Sequence, residues 1–168
     1  MIADCGSVES HERRLRAILR LPFRSGDTLV EVGCGTGRLA DLVPAEVGYE
    51  GLDWSPAAVE EARARRPHAR FRHGTEDDLE AADWIVASGP FNYADGWSKE
   101  RTATAMRKMW QASRRGISVT VLRVPAEGRL HYCAVELAGF VEGLDWSELQ
   151  LDRSYLPNDL CLRVWRRD

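Results

Sequence analysis

The chain has 168 residues, of which 44% are hydrophobic, and its formal net charge is -3 at pH 7. This length predicts a single domain over residues 1–168 with a substantial core, residues 1–27 being an N-terminal helix and lead-in. Acidic and basic residues are mixed along the chain, which argues against nucleic acid as a partner. The sequence shows neither a signal segment nor an apolar run of the roughly 20 residues that span a membrane, so we expect a cytoplasmic protein with no membrane partner.

The cysteines are scattered, with no Cys-x-x-Cys pair and no Cys/His cluster. This spacing predicts neither a disulfide framework nor a metal site. The four are Cys5, Cys34, Cys133 and Cys161.

Residues 8–20 have apolar side chains at helical spacing and predict an amphipathic helix that ends before Pro22 and Gly26. Four arginines lie on it, and they form either its solvated face or, for one of them, a contact to an anionic ligand group. They are Arg13, Arg14, Arg16 and Arg20.

The most informative stretch is residues 28–37, Thr-Leu-Val-Glu-Val-Gly-Cys-Gly-Thr-Gly. Its first half predicts a short buried strand, and Gly33, Gly35 and Gly37 follow where the strand turns into a helix. We expect that helix to begin at about residue 36 or 37 and to run through residue 43, so that a ligand lies on backbone amides at its positive end.

A second apolar run, residues 49–52, ends at Asp53, which places a carboxylate where a βαβ unit meets ribose hydroxyls. Arg38 stands where a dinucleotide fingerprint requires glycine. Glu31 would repel a pyrophosphate but attract, directly or through water, the ammonium group of an amino-acid tail. The ligand that combines this tail with ribose and adenine is S-adenosylmethionine. A nicotinamide or flavin Rossmann domain is the alternative.

Residues 28–59 resemble the first two motifs of the class I S-adenosylmethionine-dependent methyltransferases. The resemblance implies S-adenosylmethionine as cofactor, S-adenosylhomocysteine as product, and Trp54 beside the adenine; an ordinary half-buried tryptophan is the alternative. The cofactor-binding residues expected in this region are Glu31, Gly33, Cys34, Gly35, Gly37, Asp53 and Trp54. For Cys34 we expect small-residue packing rather than nucleophilic chemistry.

Two further cofactor contacts follow from the resemblance. Arg14-Leu15 is similar to an Arg-Phe pair of some small methyltransferases, which implies that Arg14 grips the cofactor's carboxylate. After a strand over residues 68–73, either Glu76 or Asp77 is expected to meet the adenine amino group. Alternatively, residues 76–78 simply cap the next short helix.

The stretch 82–93 predicts a central strand whose carboxyl end carries Ser88 and Gly89, and we expect the catalytic mouth there, with both residues near the cofactor. Residues 88–92, Ser-Gly-Pro-Phe-Asn, resemble the Ser-Gly-x-Phe-Asn turn of a compact methyltransferase subgroup. Residues 155–159, Tyr-Leu-Pro-Asn-Asp, match a hairpin of the same subgroup.

The remaining pattern predicts a helix capped at Ser98, a strand over 116–122, a helix over 132–140 and a closing antiparallel pair over 146–151 and 159–165. The expected fold is therefore α/β: a Rossmann-like, doubly wound sheet of five parallel strands plus the closing pair, in three αβα layers.

Methyl transfer is an in-line displacement that depends mainly on positioning, and a base is needed only where the acceptor must lose a proton. The lean chain, without an inserted cap, favours a small or carrier-presented acceptor methylated at O or N, in a pocket that a second subunit of a homodimer could complete. The alternatives are an RNA or protein methyltransferase with a basic rim, and a ligand-binding or partner-activating protein that keeps the fold without methyl transfer or uses the bound sulfonium for another reaction. The predicted catalytic residues are Tyr93 and His131, with Asp95 and His11 as further base candidates.

Overall fold

Seven strands form one sheet in the order β3-β2-β1-β4-β5-β7-β6 in the computed structural model, which describes residues 7–167. The strands are β1 (Thr28–Val32), β2 (Gly48–Asp53), β3 (Arg70–His73), β4 (Ala82–Ser88), β5 (Ser113–Leu122), β6 (Glu148–Asp152) and β7 (Asp159–Trp165). The helices are α1 (Val8–Ile18), α2 (Pro56–Arg65), α3 (Lys99–Ala112) and α4 (Ala134–Phe140), and short 3-10 turns lie at Arg38–Asp41, Glu76–Asp78 and Pro90–Asn92.

The pairing of the strands confirms the predicted α/β architecture. β1 to β5 are parallel, whereas β7 runs antiparallel to both β5 and β6. The strand order reverses between β1 and β4, so the carboxyl ends of these two strands flank the crevice in which doubly wound sheets bind ligands.

Helices cover both faces of the sheet, as the three-layer prediction requires. Alternate residues of β4 point to opposite sides: Trp84 and Val86 pack with α1, and Ile85 and Ala87 pack with α3. The N-caps agree with the sequence, since Ser55 accepts a hydrogen bond from the Ala58 amide and Ser98 accepts one from the Arg101 amide. In residues 7–167, no helix is both long and apolar enough to cross a membrane.

The predicted helix after the glycine turn is wrong in extent. Only residues 38–41 are helical, and they form a 3-10 turn. Gly37 adopts a left-handed conformation, with φ +77°, and Pro44 follows three residues after the turn, so a full α-helix has no room to develop between β1 and β2. A helix dipole therefore contributes little to ligand binding at this point.

Candidate active site

The glycine turn after β1 is held by its own backbone. The Gly33 and Cys34 amides donate hydrogen bonds to the Leu52 carbonyl at 2.8 and 3.1 Å, and the Gly37 amide donates to the Cys34 carbonyl. At these three residues the expectation that a ligand lies on backbone amides is therefore not met, because their amides join the ends of β1 and β2 and close the turn.

The space around the three glycines differs. A Cβ at Gly33 would lie 2.6 Å from Pro90 Cβ and 3.2 Å from Trp54 Cη2, and one at Gly37 would overlap the Phe71 ring. At Gly35, whose φ is +53°, nothing lies within 4 Å of the corresponding position. Gly33 and Gly37 are thus small so that the protein can pack, whereas Gly35 opens onto the crevice.

Asp53, at the end of β2, is buried beside this opening. One carboxylate oxygen accepts a hydrogen bond from the Gly35 amide at 2.7 Å, and the other accepts one from the Ser55 amide at 2.8 Å. Each oxygen has a further lone pair. Asp53 can therefore fix the turn and still accept hydrogen bonds from a pair of vicinal hydroxyls.

Glu31 lies in β1 with 3% of its surface exposed, and the Tyr49 hydroxyl donates a hydrogen bond of 2.6 Å to its Oε2. Burial, together with the negative charge of Asp53, raises the pKa of Glu31 to about 8, against the opposing effects of the Tyr49 hydrogen bond and the Arg66 charge. Glu31 is mostly protonated at neutral pH. A cation bound nearby would favour its carboxylate form.

Cys34 is buried in a small cluster with Val59, Ala62 and Phe71. Burial raises the pKa of its thiol, followed in effect by the charges of Glu31 and Asp53. A thiol held in its neutral form is a poor nucleophile, so the packing role predicted from the sequence is confirmed.

An aromatic cluster borders the other side of the crevice. Trp54 is 38% exposed and meets Trp97 edge to face, with ring centroids 5.8 Å apart; Trp97 in turn packs against Phe91 at 4.6 Å. The Trp54 indole is thus partly exposed, with its Cη2 edge close to Gly33, and an adenine ring could stack on its exposed part.

The three acidic residues after β3 have separate environments. Glu76 is buried and accepts hydrogen bonds of 3.0 and 3.2 Å from the Arg101 guanidinium. Asp77 is exposed and pairs with Lys108. Asp78 closes the capping box with Thr75. The capping alternative thus holds for Asp78, whereas Glu76 is the acid that points inward.

The loop after β4 forms the predicted mouth at the carboxyl edge of the sheet. Gly89 has φ +77°, and its amide donates to the Thr120 carbonyl at 3.1 Å; the Ser88 hydroxyl is 3.5 Å from the Thr120 hydroxyl. Asn92, the last residue of the Ser-Gly-x-Phe-Asn turn, accepts a hydrogen bond from the Leu122 amide through its side chain. This asparagine fixes the end of β5 next to the mouth.

Tyr93 and His131 lie on two short segments that cross the mouth side by side. Tyr93 pairs with Arg129 in an antiparallel bridge, and the Arg129 guanidinium lies 4.0 Å from the centre of the Tyr93 ring. The side chains of Tyr93 and His131 are both exposed. The next residue, Tyr132, anchors the segment, because its amide donates a hydrogen bond to the Leu122 carbonyl. The two predicted catalytic residues are therefore at the rim and open to solvent.

Arg14 is buried, so the solvated-face interpretation is wrong for this arginine, while Arg13, Arg16 and Arg20 are exposed. Its guanidinium forms an ion pair with Asp159, with Nη2 3.0 Å from Oδ1. Two stretches that the sequence singled out separately, the N-terminal helix and the Tyr-Leu-Pro-Asn-Asp hairpin, thus meet through this pair.

His11 lines a cavity between α1 and the 38–41 turn, together with Arg38 and Arg66. Burial, followed in effect by the charges of Arg38 and Arg14, lowers its pKa to about 4. Asp95 is exposed in the loop that follows Tyr93. Within residues 7–167, no group of three His, Cys, Asp or Glu side chains is arranged to hold a metal ion.

No role was predicted from the sequence for three residues of this region: Tyr49, Arg101 and Asp159, the last residue of the Tyr-Leu-Pro-Asn-Asp motif. Each acts through a partner far along the chain, Glu31, Glu76 and Arg14 respectively. Helical spacing gave no signal for the contact between Trp97 and Arg101, because Trp97 precedes Ser98, the N-cap of α3.

The reversed strand order, the glycine turn and the buried acid at the end of β2 define a Rossmann-like fold of the class I methyltransferase type. A methyltransferase domain family matches residues 29–116, which is more than half of the chain. The chain therefore belongs to this methyltransferase family, whose class depends on S-adenosylmethionine.

Two curated relatives match part of the chain. A probable S-adenosylmethionine-dependent methyltransferase from Mycolicibacterium smegmatis is 41% identical over 70 residues, 40% of this chain. A trans-aconitate 2-methyltransferase from Methylobacterium radiotolerans is 33% identical over 76 residues, 44% of this chain. The match spans 27% of the length of each relative.

Among solved structures, magnesium protoporphyrin IX methyltransferase from Synechocystis with bound S-adenosylhomocysteine superposes with a TM-score of 0.74 at 13% identity. The superposition covers 95% of this chain and 84% of that one. At this identity the likeness concerns the fold.

Proposed function

We propose that this chain, acting as a single domain, transfers a methyl group from S-adenosylmethionine to an oxygen or nitrogen atom of a small-molecule acceptor. The observation that carries the proposal is the opening at Gly35. It is the one glycine of the turn whose missing side chain leaves free space, and Asp53 lies directly beside it. A Cβ would fill this space, so the residues present fit an adenosine ligand.

The cofactor-binding roles follow from position. Asp53 accepts hydrogen bonds from the ribose hydroxyls, Trp54 stacks on the adenine, and Glu76 lies at the adenine end of the crevice. Glu31 lies below the turn. The ammonium group of the methionine tail favours the carboxylate form of Glu31, which in turn attracts the ammonium. Arg14 lies in α1, and its positive charge is balanced by the ion pair with Asp159.

At the mouth, the residues of this chain hold the acceptor in line and exclude water. S-adenosylmethionine supplies the electrophilic methyl group. Ser88 and Gly89 line the inner side of the mouth, and Tyr93 lines its rim beneath Arg129. His131, exposed on the neighbouring segment, accepts the proton where the acceptor is a hydroxyl or a protonated amine.

The charges of the described surface support a small acceptor over RNA. An RNA substrate requires a rim of uncompensated cations. The arginines that could have formed this rim lie at residues 13–20 and 63–72, and most of them are instead paired with carboxylates. In the second stretch Arg63 pairs with Glu60, Arg65 with Glu61 and Arg66 with Asp41, while Arg70 and Arg72 share Glu50. In the first stretch Arg16 pairs with Glu12 and Arg20 with Asp152. The names of the relatives, for trans-aconitate and magnesium protoporphyrin IX, add small-molecule precedents within this fold.

Calorimetric titration of the purified chain with S-adenosylmethionine, S-adenosylhomocysteine and NAD tests the cofactor. We expect micromolar binding of the two sulfur compounds and none of NAD. Asp53→Ala should weaken binding by about 1.5–3 kcal/mol through loss of charge-assisted hydrogen bonds. Asp83→Ala is the matched control, because Asp83 also accepts a backbone amide hydrogen, from Thr28, but at the opposite edge of the sheet.

Transfer is tested by incubating the protein and methyl-labelled cofactor with separated small-molecule, RNA and protein fractions of an extract. Label in the small-molecule fraction supports the proposal. Label confined to RNA or protein contradicts the acceptor class, and cofactor binding without labelling of any fraction favours a fold retained without turnover. Sedimentation with and without the cofactor tests the homodimer that we propose to complete the pocket.

A further inference from the structure

One side chain connects the two loops that border the crevice. Arg101, in the first turn of α3, donates from Nε and Nη2 to the two carboxylate oxygens of Glu76 at 3.0 and 3.2 Å. Its Nη1 donates to the Gly96 carbonyl, and its guanidinium carbon lies 4.2 Å from the centre of the Trp97 ring. The guanidinium therefore contacts both loops: its Nε and Nη2 meet the 76–78 turn, and its Nη1 and its face meet the 89–98 loop.

We propose that Arg101 is a positioning residue that links the adenine end of the crevice to the loop carrying the acceptor mouth. This inference rests on the proposed function. On one side Arg101 fixes Glu76 in the 76–78 turn, and on the other it fixes Trp97 in the loop over residues 89–98. Trp97 extends the link, because it contacts both Trp54 and Phe91.

The arrangement explains why a buried carboxylate can lie here. Glu76 has 6% of its side chain exposed, and a carboxylate at this depth requires an opposite charge. Arg101 supplies that charge while its own side chain remains 43% exposed. Removing the guanidinium would leave Glu76 unpaired and Trp97 without its cation, so both loops would loosen together.

Only arginine fits this position. Its planar fork donates two parallel hydrogen bonds to a carboxylate and can stack on an aromatic ring at the same time. A lysine would keep the charge but provides a single point donor, which can meet Glu76 or lie over Trp97, not both. A purely electrostatic role predicts rescue by lysine, whereas a linking role does not.

Lys108 provides a matched control. It lies on the same helix and pairs with Asp77 of the same 76–78 turn, so its ion pair does not involve the 89–98 loop. Lys108→Gln therefore removes a tie between α3 and the turn without touching the aromatic cluster.

The test compares Arg101→Met, Arg101→Lys and Lys108→Gln by backbone hydrogen exchange in the ligand-free protein and by calorimetric titration with S-adenosylhomocysteine. Both Arg101 variants should exchange faster in the 75–78 and 89–98 segments alike, and should bind S-adenosylhomocysteine about tenfold more weakly. Lys108→Gln should affect the 75–78 segment alone and change affinity less than about twofold. If Arg101→Met folds poorly, Glu76→Gln takes its place, because it breaks the same ion pair from the carboxylate side. It should give the pattern expected for Arg101→Met.

Faster exchange in only one segment, or full rescue by lysine, would overturn the link. The outcomes distinguish a failure of the Arg101 link from a failure of the proposed function. If the wild-type chain fails to bind S-adenosylhomocysteine but both segments loosen in Arg101→Met, the proposed function is wrong and the link stands. If the wild type binds and the segments respond independently, the link is wrong and the function stands.

Discussion

Substitution of two glycines in the turn distinguishes a position needed for packing, Gly37, from a position needed for ligand binding, Gly35. Gly35 and Gly37 both have positive φ, +53° and +77°, so alanine is strained at either position. They differ in what surrounds them, since the space beside Gly35 is open whereas Gly37 faces the buried ring of Phe71. Alanine at these two positions therefore imposes the same backbone penalty but different steric ones.

The magnitudes follow from these environments. Alanine in the left-handed region costs about 1–2 kcal/mol, and restricting the unfolded chain returns about 0.4–1 kcal/mol. Gly35→Ala should therefore reduce the free energy of unfolding by about 1 kcal/mol, or about 2–4 °C in Tm for a domain of this size. Gly37→Ala adds overpacking against Phe71, about 1–3 kcal/mol more, because the ring is buried in a cluster with Cys34, Val59 and Ala62.

Ligand binding should show the reverse order. The alanine methyl group at Gly35 projects into the crevice, so Gly35→Ala should weaken S-adenosylhomocysteine binding by more than about tenfold, or about 1.4 kcal/mol. Gly37→Ala, measured well below its own Tm, should bind more nearly like the wild type. Thermal unfolding and calorimetric titration of the two variants provide the test. Wild-type affinity in Gly35→Ala, or equal destabilisation by the two substitutions, would refute this assignment of the crevice.

Three further predictions concern buried or paired charges. The pKa of Glu31 is about 8 in the folded chain against an ordinary 4.5, so the native state holds an extra proton between these values and stability falls as pH rises through them. Glu31→Gln should remove this loss, about 3–5 kcal/mol between about pH 4.5 and 8.5. A hydrogen bond from Lys99, with one from the Cys133 amide, lowers the pKa of Glu136 to about 2, so its stabilisation is present above pH 4.5 and is lost as pH falls toward 2; Glu136→Gln should flatten that limb. Arg14→Met leaves the Asp159 carboxylate buried and unpaired and should cost about 3–5 kcal/mol, most of which Arg14→Met/Asp159→Leu recovers.

Denaturant unfolding at a series of pH values checks the two glutamate variants, and unfolding at neutral pH checks the Arg14 pair. A Glu31→Gln protein that keeps the wild-type decline above pH 5 would show that another group causes it. An unchanged acid limb in Glu136→Gln would assign that limb to other carboxylates. If the double variant were as unstable as Arg14→Met, the loss would lie in packing rather than in the unpaired charge.

Local patterns in the sequence were enough to predict the architecture and the location of the crevice. Residues 28–32 and 82–88 are apolar enough to be central strands, and the closing pair near residues 148–165 alternates in the manner of an antiparallel sheet. Ser55 and Ser98 marked helix starts that the structure confirms. These features depend on neighbours a few residues away, and for this reason local periodicity and capping residues suffice to predict them.

The contacts that hold the site together are seen only in the folded chain. The tertiary structure closed the glycine turn on the Leu52 carbonyl, shortened the expected helix to residues 38–41, and assigned Arg14 to Asp159 and Arg101 to Glu76. The contacts join residues that are far apart in the chain. The shortened helix reflects tertiary constraints that override a local preference for helix. A buried charge selects the partner that the packed fold brings within hydrogen-bond distance, and no local pattern in the sequence specifies which residue that is.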